Sequence, residues 1–161
     1  MQNCKRNNLP ISVIQMINQM IYYKITYWFL ATCMFMFGIL KFFNPFKGWY
    51  SIQIANSGLG QISQIVGVMG EIAVGVILFL CLIYRQKISN KAYILLTNFA
   101  FFTIIVMMMT SVYVHLHPDV PADVLPLKIK PPYIPIFFSL LALSNIYWST
   151  LRTADNTGRK V

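Results

Sequence analysis

Glu71 offers the most chemistry in this chain, because it places a carboxylate midway along an apolar run from about Ile62 to Ile83. A run of that length crosses a bilayer, since a spanning helix needs about 20 apolar residues. An ionisable side chain there costs about 2.5–3.5 kcal/mol on insertion scales, so it marks either a site or a contact between helices. Ser63, Gly67, Glu71 and Gly75 recur every four residues and share one strip of a helix, with Gly70 beside it. Small residues let a neighbouring backbone approach closely, so the strip is expected to pack against protein and to turn Glu71 inward. Two roles are open for the acid: hydrogen-bonding glue between helices, or a group that takes up and releases a proton.

Four further residues are candidates for the same polar pocket. Lys41 ends the first apolar run, Gln64 lies two turns outward of Glu71 on its face, and His115 follows Ser111 by one turn at the end of the third run. If Asn44 and Gly60 stand level, a rise of about 1.5 Å per residue leaves the backbones of Lys41 and Glu71 about 12 Å apart in height. A direct pair, a bridging water, a lipid headgroup and a substrate all fit that gap, and Lys41 could instead snorkel to the surface. His115 and His117 leave a helix in different directions and no third ligand stands at convincing spacing, so no metal site is expected. Cys4, Cys33 and Cys81 form neither a C-x-x-C pair nor a haem C-x-x-C-H motif. No cofactor is identifiable on these motifs, and independent catalytic activity is not expected.

The elements that must hold these residues follow from composition. With 57% hydrophobic and 11% charged residues among 161, against about 25% charged in soluble domains, the chain reads as an all-α, multi-pass membrane protein. Its net charge of +9 is scattered between apolar runs, which argues against nucleic acid. Spans are predicted at about 25–43, 62–83, 92–114 and 133–151 in a single membrane domain. Aromatic belts flank them, such as Tyr22, Tyr23, Tyr27 and Trp28 at one end of the first. Within 1–24, Val13, Ile14, Ile17, Met20 and Ile21 share a face, which fits an interfacial amphipathic helix or a simple extension of the first span. The connection from Phe46 to Leu59 is amphipathic and could lie flat on the membrane. Prolines at 118, 121, 126, 131 and 132 exclude a regular helix before the last span, and 152–161 reads as a loose cytoplasmic tail. With both termini cytoplasmic, nine of the 13 basic residues fall inside and Lys41, Lys47, Lys128 and Lys130 outside, as the positive-inside rule requires of a cell (inner) membrane protein.

Three stretches resemble the DoxX-like family of small membrane proteins: Phe37-Gly38-Ile39-Leu40-Lys41-Phe42-Phe43-Asn44-Pro45, then Gly67-x-x-Gly70-Glu71-x-x-x-Gly75, then the histidine closing the third span. The resemblance covers roughly Phe29 to Trp148 and implies a compact four-helix bundle, with Lys41, Glu71 and His115 at the family's polar positions. It also implies a membrane subunit or accessory role, since members are linked to quinone-coupled thiosulfate oxidation, to membrane oxidoreductase complexes and, in distant animal relatives, to receptor assembly. The proline-rich loop and the amphipathic N-terminal segment depart from many members, and fold alone does not establish function. The expected role is an accessory subunit or assembly factor, partnered by the bilayer and by a membrane complex or further copies of itself. The alternative is a redox or transport component that binds a quinone or another small amphiphile and uses Glu71 to exchange a proton.

Overall fold

The computed structural model describes the backbone of residues 11–158 and the side chains of 18–150. Among these residues the chain is all-helical: α1 (Ile11–Leu40), α2 (Phe46–Asn56), α3 (Gln61–Ile83), α4 (Asn90–Leu116) and α5 (Tyr133–Gly158), with two short 3-10 turns between the last two. The breaks follow local chemistry. Asn44-Pro45 separates α1 from α2, and Gly58 and Gly60, at φ 73° and 39°, turn the chain from α2 into α3. Ser89 opens α4 by accepting a hydrogen bond from the Ala92 amide at 3.3 Å.

Three segments are long and apolar enough to cross a membrane: Asn18–Leu40, Gln61–Ile83 and Asn90–Leu116. α5, predicted as a fourth, forms over the expected residues but carries Ser139, Ser144, Asn145, Ser149 and Thr150, and over its described part it is not one of them. Of the terminal segments, one agrees with one of its two readings and the other is corrected. The N-terminal amphipathic segment, where described, turns no corner: α1 is one continuous helix from Ile11, the extension rather than a separate interfacial helix. Residues 152–158, expected as a loose tail, continue α5, in keeping with helix formers such as Arg152 and Ala154. Residues 1–10 and 159–161 of the two terminal segments lie outside the described residues.

α1 packs along α3 and α4 along α5, while α3 also meets α4 and α1 meets α5. Their shared core holds Tyr27, Leu30, Met34, Leu78, Phe101, Ile104 and Phe138, with the Tyr27 and Phe101 rings edge to face at 5.2 Å. Glycines fix the α1–α3 approach. A Cβ on Gly75 would lie 2.8 Å from the Phe35 backbone nitrogen, and one on Gly38 would lie 3.2 Å from the Glu71 Cβ. That second contact sets the register that the site depends on.

Candidate functional site

Because Gly38 lies level with Glu71, Lys41 stands only three residues, about 4.5 Å, further outward. The 12 Å separation expected from levelling Asn44 with Gly60 therefore does not hold, since the intervening α2 lets the two chain breaks sit at different heights. Lys41 occupies the turn just after α1, and its Nζ donates to Glu71 Oε1 at 2.6 Å. Direct pairing thus replaces snorkelling and bridging. Glu71 is buried to 6% exposure and does face protein, as its strip of small residues requires.

The pair lies in the wall of a cavity of about 610 Å³ lined by the end of α1, the start of α3 and the end of α4, by one face of α2, and by the proline-rich loop and the start of α5. Lys41, Glu71, Ser111 and His115 all line it. Gln64, predicted beside them, is half-buried on α3 and does not. Of the packing strip, Gly75 meets α1, Gly70 lies against Met107 of α4, Gly67 faces the Tyr50 ring, and Ser63 opens into the cavity. The strip therefore serves three neighbours and a cavity wall instead of one seam.

His115 is buried at 3% exposure, and its Nδ1 lies 2.9 Å from the Ser111 carbonyl. A carbonyl only accepts, so Nδ1 carries a proton, and in the neutral ring this leaves Nε2 as an acceptor. His117 turns away, its ring 5.7 Å from that of Tyr113 and its Nδ1 3.9 Å from Asp119 Oδ2. Among the described residues no three His, Cys, Asp or Glu side chains gather closely enough to hold a metal.

Sequence reasoning missed α2. Phe46, Trp49, Tyr50, Gln53 and Ile54 all line the cavity, so the helix turns its apolar face to the site. Their spacing of i, i+3, i+4, i+7 and i+8 is the signal that would have found this face. Tyr50 is the consequential member. Lys41 Nζ lies 3.9 Å from the centre of its ring, within cation–π range. Burial first, and then the negative charge of Glu71, push its phenol up to about 12, so it stays a hydrogen-bond donor at neutral pH.

The proline-rich loop closes the end of the cavity beside α2. Val120, Val124 and Leu125 bury themselves with Val114 against Trp49 and Leu59. Gln53 donates to the Val124 carbonyl, Asn56 donates to the Asp119 carbonyl at 3.1 Å, and Lys130 donates to the His117 carbonyl at 2.9 Å. The loop is therefore tied to α2 and to its own start by backbone acceptors. Chemically, the site combines an internally neutralised ion pair, a buried imidazole and an apolar wall of suitable size for a small molecule. No family model, curated protein or solved structure matches this chain.

Proposed function

We propose that this chain is a multi-pass membrane protein of the DoxX-like kind that acts as an accessory component of a membrane oxidoreductase complex. Its own contribution is an extracytoplasmic pocket that receives a small amphiphile of the quinone class. In this reading α1, α3, α4 and α5 form a four-helix membrane bundle, α5 is the fourth crossing, and both termini are cytoplasmic. The pairwise packing of those helices and the distribution of basic residues support it. The observation that carries the binding role is the Lys41–Glu71 pair standing in the wall of an apolar cavity of about 610 Å³. Ligand sites are typically apolar clefts of about 300–1,000 Å³ with a few convergent polar groups. An ion pair serving only to hold helices together does not require such a space beside it.

Purification in mild detergent, followed by mass spectrometry of the organic extract, tests this. A quinone-class amphiphile should be enriched with the wild-type protein and depleted from Glu71→Gln. An extract matching the bulk membrane lipids in both proteins would contradict the binding role. A partner protein retained equally by both would then leave only the assembly function.

A further inference from the structure

The polar groups around the cavity are unevenly committed, and the imbalance restricts what fits. Lys41 is the only lysine or arginine in the lining, and its ammonium is already held by Glu71 Oε1 and by the Tyr50 ring. The Gln53 amide donates to Val124, and the Thr110 hydroxyl donates to the Val106 carbonyl at 3.1 Å. The Trp49 indole N–H and the rest of the Gln53 amide also lie in the wall, and beside them stand two buried acceptors. Glu71 Oε2 is buried with no hydrogen-bond partner among the described residues, and His115 Nε2 is left as an acceptor because Nδ1 serves Ser111. A buried acceptor without a donor costs about 1–3 kcal/mol, more when charged, and the serine and tyrosine hydroxyls can adapt to either role. On the outer half of α3, Ile62 and Val66 line the cavity while remaining 79% and 63% exposed on the helix surface, so the space opens toward whatever surrounds that helix. For a spanning helix that surrounding is acyl chain.

We infer that the cavity prefers an uncharged, lipophilic molecule that donates a hydrogen bond from a hydroxyl group, a phenol-type head on an apolar body, over acceptor-only molecules of the same shape, and rejects anions. This deepens the binding role proposed above and rests on it: within the quinone class it favours the reduced, hydroxyl-bearing form, and the oxidised form binds the same site more weakly. The donor satisfies His115 Nε2, or Glu71 Oε2 once the carboxylate turns toward the cavity, and meets no unpaired charge. An anion would find the one ammonium already neutralised and a carboxylate beside it. An ether or carbonyl would leave both acceptors bare.

Three probes of similar size separate these cases with the full chain in nanodiscs: para-heptylphenol, para-heptylanisole and para-heptylbenzoate, each counted above empty nanodiscs. The phenol should bind about tenfold more tightly than its methyl ether, as one hydrogen bond to a charged acceptor implies. The benzoate should not exceed the blank. In Glu71→Gln, which releases the Lys41 ammonium, the benzoate should begin to bind and the phenol's advantage should shrink to about threefold or less. The wild-type ranking decides the matter even if that variant does not fold. Ether binding as tight as phenol, or benzoate binding in the wild type, overturns this selectivity while leaving the pocket's binding role standing. Failure of all three probes overturns both.

Discussion

At the scale of single residues, the structure turns on two charges that neutralise each other. Removing one partner of a buried pair costs about 3–5 kcal/mol, because the survivor is left charged in a poor solvent, whereas replacing both by apolar groups is often neutral. Lys41 keeps 18% side-chain exposure, which places the expected loss for Glu71→Leu or Lys41→Met at the lower end, about 3 kcal/mol. The double variant Lys41→Met/Glu71→Leu should recover most of that loss. Thermal unfolding of the four proteins in one detergent checks this cycle, and additive losses in the double variant would show that the two groups act independently. Tyr50 belongs to the same unit. Tyr50→Leu removes the ring under the ammonium and should lower stability by about 0.5–1 kcal/mol, where Tyr50→Phe should cost less.

At the scale of elements, the α1–α3 approach is set by glycines. Gly75→Val drives a branched side chain into the Phe35 backbone, which cannot move without separating the helices, and should cost about 1–3 kcal/mol or more. Gly48, inside α2, would meet nothing within 4 Å, so Gly48→Ala should stabilise by about 0.5–1 kcal/mol through helix propensity. Opposite signs in the same unfolding assay are the expected result. Much of this was legible beforehand because polar residues are so rare in apolar helices. Lys41, Glu71, Ser111 and His115 stood out by type and period, and the cavity gathers them. The rest was hidden for physical reasons. Lys41's depth depended on the α1–α3 register, which Gly38 sets through a contact with no sequence signature of its own. The inward face of α2 has the same period whether it meets lipid headgroups or a cavity. The loop is held by backbone carbonyls, which every residue carries, so its docking onto Gln53 and Asn56 leaves no mark in composition. Gln64 shows the converse: helical phase placed it near Glu71's face, and the cavity wall falls on Ser63 and Gly67 instead.

At the scale of the whole molecule, the proposed topology needs an even number of crossings and therefore needs α5 to span despite its serines and Asn145. Single cysteines test this in a background with Cys4, Cys33 and Cys81 replaced. Lys128→Cys should react with an impermeant maleimide added to intact cells, and Lys87→Cys only after permeabilisation. The reverse pattern would invert the orientation, and labelling at a C-terminal cysteine from outside would reduce the crossings to three. The central claim is that the space beside Lys41 and Glu71 is a binding site, and Trp49, which lines it, is a built-in reporter. With Trp28→Phe and Trp148→Phe leaving Trp49 as the single tryptophan, a short-chain quinone titrated into nanodiscs should quench its emission saturably, as one site. Ser63→Leu, which fills the cavity wall, should abolish that saturation. Quenching that rises linearly with quinone and is identical in both proteins would mean partition into the bilayer alone, and would contradict the account.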